Sequence, residues 1–224
     1  MEWTKALAES WNQNAGNWTR AVRESLIPSR KAGTDDAIVS AIVSRRPSRM
    51  LDVGCGEGWL IRRVAQTIKC RAVGIDGSAQ LIEDAKAADP ISQYRVMNYA
   101  ELTNDASPLD NDFDVAVFNY SLFDEDAAKL LAAVKPLLAR SGVVIIQTLH
   151  PWSLPPDQAY TNGWRTENFA AFENQNWAPM PWYFRTLESW HGVVREAGLA
   201  LVELKEPVAA PGGRPLSLLL TCAP

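Results

Sequence analysis

The segment Leu51-Asp52-Val53-Gly54-Cys55-Gly56-Glu57-Gly58 constrains this chain more than any other stretch. An apolar approach runs into an aspartate, and three glycines then alternate over five positions. The approach reads as a buried strand. The following run (Leu60, Ile61, Val64, Ala65, Ile68) has the spacing of one helix face. Strand, glycine-dense turn and helix in that order gather open backbone N–H groups and the positive end of a helix dipole at one point. Such a point holds a ligand. A dinucleotide fingerprint has glycines at the first, third and sixth positions, and here the sixth is Trp59. The turn is therefore a poor seat for a pyrophosphate.

The rest of the chain repeats the alternation. Strands are predicted over Arg49–Val53, Arg71–Ile75, Tyr94–Met97, Phe113–Asn119, Gly142–Leu149, Leu199–Leu204 and Leu216–Cys222. Helices are predicted between them, over Glu57–Ile68, after Ser78, around Leu130 to Val134 and over Thr186–Ala197. Thr34 is positioned to cap an earlier helix whose first turn carries Asp35 and Asp36. Strands alternating with helices predict an α/β fold, with a mainly parallel sheet covered by helices on both faces. The expected division is an N-terminal helical cap (1–33), a ligand-binding core (34–149), a lid insertion (150–185) and a C-terminal helix with a strand pair (186–224), all in one domain. The insertion holds five prolines and four tryptophans without clear periodicity.

Composition narrows the function classes. The chain has 224 residues, 21% of them charged, and a net charge of −4. Its arginines form only small clusters, so no nucleic-acid partner is expected. No apolar run approaches transmembrane length, and no membrane partner is expected. The cysteines Cys55, Cys70 and Cys222 lack metal-ligand spacing, so no metal is expected, and a reducing cytoplasm is the default location. Seven of the nine tryptophans lie outside the alternating core.

Ligands of open α/β sheets bind at the carboxyl ends of the strands. Those ends carry Asp52–Gly58, Asp76–Ser78, Asn98–Glu101, Asn119–Ser121 and His150. Asp76 ends its strand about twenty residues after the glycine turn, where a carboxylate can accept from both hydroxyls of a ribose. His150 is a candidate general base at the end of the fifth strand, and a hydrogen-bonded loop anchor is the competing reading. Trp11, Trp18, Trp152, Trp182 and Tyr183 are candidates, with His150, for gripping a flat, apolar or cationic acceptor. The competing reading is that they form the lid's own core.

LDVGCGEG, GIDGS, MNYAEL and FDVAVFNYSLF together resemble the motifs of class I S-adenosylmethionine-dependent methyltransferases of the small-molecule type. The similarity covers residues 35–149 most strongly and extends to the tail. It implies a Rossmann-like seven-stranded sheet in the order 3-2-1-4-5-7-6 with the last strand antiparallel. It also implies S-adenosylmethionine as cofactor, with S-adenosylhomocysteine as product. By matching position, Asp52, Gly54, Cys55 and Gly56 would border the methionine part. Asp76 would hold the ribose, and Gly77 and Ser78 would flank the adenine. Tyr99, Ala100 and Glu101 would run along the adenine edge. The family usually carries an aspartate where Tyr99 stands, so Asn98 or the backbone at Tyr99–Ala100 would take over its bond. Asn119 and Tyr120 would lie under the reacting sulfur, with Tyr120 also counted among the catalytic candidates. Arg30, a basic residue before the first core helix and not part of a matched motif, is a candidate for the cofactor carboxylate. The expected protein is a monomer or homodimer methylating a small aromatic or apolar molecule. A nicotinamide or nucleotide-sugar enzyme, a non-catalytic cofactor binder and a macromolecular methyltransferase are the alternatives.

Overall fold

The computed structural model of the protein describes residues 2–155, 157–172 and 176–224. Among these residues the elements, in chain order, are α1 (Glu2–Gln13), α2 (Ala15–Arg23), α3 (Asp35–Ser44), β1 (Arg49–Val53), α4 (Trp59–Ala65), β2 (Arg71–Asp76), α5 (Ala79–Ala88), β3 (Gln93–Val96), α6 (Tyr99–Asn104), β4 (Phe113–Asn119), α7 (Ala127–Val134), β5 (Leu138–Leu149), β6 (Gly163–Glu167), β7 (Met180–Phe184), α8 (Leu187–Glu196), β8 (Ala200–Lys205) and β9 (Ser217–Ala223). Seven strands form one sheet in the order β3-β2-β1-β4-β5-β9-β8. β9 runs antiparallel to both of its neighbours, and the other pairs are parallel. Counted within this sheet, the order is the expected 3-2-1-4-5-7-6.

Alternation along the central strands explains the layering. On β1, Leu51 and Val53 face one core, with Phe118, Ile146, Leu130, Leu131, Trp190 and Val194. Met50 faces the other, with Val115, Val117, Ile42, Leu60, Ile61 and Ile82. Each face is therefore sealed by helices, α6, α7 and α8 on one side and α3, α4 and α5 on the other. A strand buried on both faces is apolar along its buried run, as β4 is from Val115 to Phe118, with the polar Asp114 and Asn119 only partly buried.

Two local expectations change. Thr34 does not cap α3 with its side chain; its hydroxyl donates to the Ser29 carbonyl at 3.1 Å, within a wide turn bent at Gly33. The lid insertion after β5, expected without clear periodicity, contains regular strands. Its strands β6 and β7 pair antiparallel as a separate two-stranded sheet. Periodicity hid this because Pro181 and the aromatic residues occupy both faces of a ribbon that has no regular interior. Residues 156 and 173–175 of the expected insertion lie outside the described residues. The hairpin packs against α1. Buried Asn14, between α1 and α2, fastens it: its amide donates to the Ala178 carbonyl and its carbonyl accepts from the Ala178 N–H, both at 2.8 Å.

Candidate functional site

The glycine turn follows β1 directly, and the amides of Gly54, Cys55, Gly56 and Gly58 are not open. The N–H groups of Gly54 and Cys55 both donate to the Ile75 carbonyl, at 2.8 and 3.0 Å. Gly56 N–H donates to Asp76 Oδ2 at 2.9 Å, and Gly58 N–H donates to the Cys55 carbonyl at 3.0 Å. The turn is thus stitched to β2 rather than presented as an anion cradle. The reason is its left-handed backbone at Gly54, Gly56 and Gly58, which folds the chain back over the neighbouring strand. A Cβ at Gly54 would lie 2.5 Å from Ser121 Cβ and 2.9 Å from the Tyr99 hydroxyl, so that glycine is demanded by packing. At Gly56 a Cβ would meet nothing within 4 Å, so this glycine borders open space.

Asp52 stands at the end of β1 with 1% of its surface exposed, and neither carboxylate oxygen has a hydrogen-bond partner among the described residues. Burial, reinforced by the neighbouring Asp76 charge, pushes its carboxyl up to about 7. A buried, unsatisfied carboxylate is costly to keep, and its natural complement is a cation. Asp76 is arranged differently. Its Oδ1 accepts from Ser78 N–H at 2.8 Å and its Oδ2 from Gly56 N–H. Burial raises its carboxyl and these two amides pull it back. Each oxygen retains a lone pair for a further donor. Ser78 begins α5, and Gly77 lies against Asn98.

The stretch after β3 differs from its expected disposition. Asn98 and Glu101 form a reciprocal capping box at the start of α6: Asn98 Oδ1 accepts from Glu101 N–H at 2.9 Å, and Glu101 Oε2 accepts from Asn98 N–H at 2.7 Å. One oxygen of each side chain, Asn98 Oδ1 and Glu101 Oε2, is therefore engaged at the helix end. Ala100 is exposed in the first turn. The Tyr99 hydroxyl turns inward and donates to the Ser121 carbonyl at 2.8 Å, beneath Gly54. Burial pushes that hydroxyl's pKa up. Tyr99 thus forms the floor of the glycine turn, and its side chain is no replacement for an aspartate at an adenine edge.

At the end of β4, Asn119 Oδ1 accepts from Gln147 Nε2 at 3.0 Å. Tyr120 has a left-handed backbone (φ 52°), with its N–H on the Gln147 carbonyl at 2.7 Å. Such a conformation in a tyrosine is strained and concentrates at functional sites. Its hydroxyl is buried towards Thr34 and Ser217 without a hydrogen bond of good geometry, and burial raises its pKa. Arg30 pairs with Asp35 at 2.8 Å and lies 4.0 Å over the Trp59 ring, at the first turn of α4. This holds its guanidinium near the glycine turn, with part of its charge already answered.

His150 is a correction. Its Nε2 bonds Glu206 Oε1 at 2.8 Å and its Nδ1 accepts from Trp152 N–H at 3.0 Å. Both ring nitrogens are engaged and the ring is buried, so it anchors the turn after β5 and has no free nitrogen to take an acceptor's proton. Trp152 is 72% exposed, directed away from any enclosed grip. Trp11 stacks on Trp18 (centroids 5.2 Å apart) and faces Phe123 (6.3 Å). Trp18 meets Phe169 and Trp177 edge-on. Trp182 meets Phe123 and Phe184 edge-on, and Tyr183 does the same with Trp164. The aromatic residues therefore build a third cluster, with Leu7 and Met180 in it and Tyr120 packed against it, between the N-terminal helices and the hairpin.

Several structural residues escaped the sequence reading. Glu57, 2% exposed, accepts from Arg62 Nη2 at 2.7 Å and from Arg23 Nε at 3.1 Å, tying α2 to the glycine turn. Gln147, buried in β5, also donates to the Thr34 carbonyl at 3.0 Å. Ser121 Oγ donates to the Val53 carbonyl at 2.7 Å. Glu57 and Ser121 lie in strand-end segments that the sequence marked without assigning them these bonds, and the five-residue spacing of Glu57 and Arg62 was a faint further signal; Arg23 and Gln147 had none. Among the described residues no group of three or more His, Cys, Asp or Glu is placed to hold a metal, and no helix is long and apolar enough to cross a membrane.

Comparison with known structures returns the same fold at low identity. The 1,6-didemethyltoxoflavin-N1-methyltransferase of Burkholderia thailandensis, crystallised with 1,6-didemethyltoxoflavin and S-adenosylhomocysteine, aligns with a TM-score of 0.65 at 19% identity, covering 99% of this chain and 88% of that one. A SAM-dependent methyltransferase of Leishmania major gives 0.71 at 14% identity, covering 98% and 82%. An S-adenosylmethionine-dependent methyltransferase of Mesorhizobium loti gives 0.61 at 21% identity, covering 83% and 95%. No curated protein sequence matches significantly. The methyltransferase-domain family profile matches residues 30–204, a span running from Arg30 through the glycine turn to the penultimate strand, and the chain belongs to that family.

Proposed function

We propose that the protein transfers a methyl group from S-adenosylmethionine to a small-molecule acceptor. The observation that carries this reading is the pairing of Asp52 and Asp76 at a turn where the amides of Gly54, Cys55, Gly56 and Gly58 are already bonded. A phosphate-bearing cofactor needs free N–H groups, which Gly54, Cys55, Gly56 and Gly58 do not offer. A buried carboxylate at Asp52 and a partly buried one at Asp76 suit a ligand with positive charge and hydroxyls. An adenosyl group carrying an amino acid has both. The unpartnered Asp52 oxygens and the side-chain-free space at Gly56 fit it.

In this reading Asp52 faces the cationic methionine end, with Gly54, Cys55 and Gly56 bordering it and Arg30 near the carboxylate. Asp76 accepts from the ribose hydroxyls, its oxygens held in position by the Ser78 and Gly56 amides. Gly77, Ser78 and the backbone at Asn98–Glu101 flank the adenine. Asn119, oriented by Gln147, and the strained Tyr120 stand where donor and acceptor meet. The bound cofactor supplies an activated methyl on a sulfonium, and the work left to the protein is alignment of donor and acceptor. The N-terminal helices and the 150–185 segment act as a cover. The aromatic cluster excludes water and presents flat surfaces to an apolar acceptor. The size of this cover and the small-molecule activity of the Burkholderia relative support a small acceptor.

Calorimetry with S-adenosylmethionine, S-adenosylhomocysteine and NADH tests the reading. Binding of both sulfur compounds and indifference to NADH is the expected result. The reverse pattern sinks it.

A further inference from the structure

The end of β4 presents one edge of a side-chain amide, and the fold fixes which edge. Gln147, on β5, is 1% exposed. Its Nε2 donates to the Thr34 carbonyl and to Asn119 Oδ1, both at 3.0 Å. The Ser217 hydroxyl lies 3.5 Å from its Oε1. A backbone carbonyl only accepts, so Thr34 settles which end of the Gln147 amide is nitrogen. That nitrogen must in turn face the oxygen of Asn119, because two NH2 groups are both donors. Asn119 therefore turns its carbonyl to Gln147 and its Nδ2 away. Nδ2 bonds nothing among the described residues and is not enclosed, since Asn119 is only partly buried.

Alternation along the strands places this free donor. Val117 lies opposite Asp52 in the parallel pairing of β4 with β1, and Met50, Val115 and Val117 share one core. Asn119, two residues beyond Val117, is on the same sheet face as Asp52 and one step nearer the carboxyl edge. Thr34 adjoins Asp35, which holds Arg30 at 2.8 Å, so that pair stands beside the residue Gln147 grips. An anion at Asp52, a cation at Arg30 and a neutral donor at Asn119 thus share one side of the strand ends. An amino-acid group has the matching parts, an ammonium for Asp52 and a carboxylate with lone pairs for more than one donor. Arg30 is already partly answered by Asp35, and an uncharged donor completes the carboxylate's hydrogen bonding.

We infer that Gln147 is a positioning residue that fixes Asn119 with its NH2 edge outward, so that Asn119 donates to the carboxylate of the cofactor's amino-acid end. This rests on the methyltransferase reading above. The chain ending in that carboxylate starts at the reacting sulfur, so a donor beside the sulfur borders it as well. Without Gln147 the Asn119 amide is free to turn, and its carbonyl edge repels a carboxylate. Gln147 itself stays buried and touches no ligand.

The test is calorimetric, on the whole protein, with two probes. One is S-adenosylhomocysteine; the other is its decarboxylated counterpart, which keeps the adenosine and the ammonium and lacks only the carboxylate. Gln147→Met keeps the volume and removes the amide. It should weaken S-adenosylhomocysteine about 2- to 10-fold, the cost of ordering one side chain, and leave the decarboxylated probe nearly unchanged. Asn119→Asp keeps the shape and the bond from Gln147 but replaces the donor edge by an anion. It should weaken S-adenosylhomocysteine about 10- to 100-fold while the decarboxylated probe holds or gains. A merely structural loss weakens both probes alike. The assignment falls if either folded variant weakens the two probes equally, or weakens neither. Should Gln147→Met fail to fold, side-chain amide resonances of the unaltered, nitrogen-labelled protein decide in its place. The Gln147 pair should resist exchange with solvent, and the Asn119 pair should shift with S-adenosylhomocysteine well beyond its shift with the other probe; absence of either refutes the assignment. Failure of the unaltered protein to bind S-adenosylhomocysteine refutes the methyltransferase reading, whereas binding that the variants leave undiscriminated refutes only the Gln147–Asn119 assignment.

Discussion

Asp52 makes the cofactor site sensitive to pH in a calculable way. Its carboxyl moves from 3.8 to about 7 in the folded chain, chiefly through burial. At ~1.36 kcal/mol per pH unit, the charged form is disfavoured by about 4 kcal/mol relative to an unfolded chain. The folded protein therefore holds a proton on Asp52 that the unfolded chain releases between about pH 4 and 7. Stability without cofactor should fall as pH rises through that window and level off above it. A cationic ligand reverses the preference, because it favours the ionised carboxylate. Below pH 7 the affinity for S-adenosylmethionine should drop by about tenfold per pH unit, with about one proton released on binding near pH 6. Titration calorimetry in buffers of different ionisation enthalpy measures both quantities. Asp52→Asn should bind the cofactor weakly at every pH while gaining up to about 4 kcal/mol of stability at pH 8, measured by denaturant unfolding. Affinity that stays flat from pH 5.5 to 8 with no proton exchange would refute the placement of Asp52 against a charge.

Two further outcomes probe the cover and the turn after β5. His150→Ala should leave the pH profile of methyl transfer unchanged while costing about 1–3 kcal/mol of stability, since it removes the ring bonds to Trp152 and Glu206; disappearance of the acidic limb of the profile would restore it as a base. Asn14→Ala deletes both bonds to Ala178 and should cost about 2–3 kcal/mol. Hydrogen exchange should then quicken at Ala178 and along β7 but not in β4, and a uniform change would show that Asn14 does not fasten the hairpin.

The core was legible because its information is local. β1 and β4 run over the predicted residues, as their apolar runs and flanking turns indicated. The sheet order came from resemblance and agrees with the pairing. α4 is shorter than the periodic run suggested, ending at Ala65, because apolar spacing continues past the point where the helix stops. The hairpin of β6 and β7 was missed, since prolines and aromatics on both faces leave no period to read.

The site divides along the same line. Residue types at strand ends marked Asp52, Asp76 and the three glycines from the sequence alone, because carboxylates and glycines at such ends are identities that need no distance to be noticed. What those groups do was decided by contacts between remote segments. Ile75 and Asp76 on the next strand consume the turn's amides and leave Asp52 as the unanswered charge. Glu206, 56 residues beyond His150, and the Trp152 amide together occupy both nitrogens of its ring. Arg185, just after β7, reaches the Asp124 and Glu125 carbonyls only because the hairpin folds over the segment that follows β4. Periodicity and spacing along the chain fix which residues belong to strands and turns; which donors and acceptors remain unspent depends on partners that only the folded chain brings within hydrogen-bonding distance.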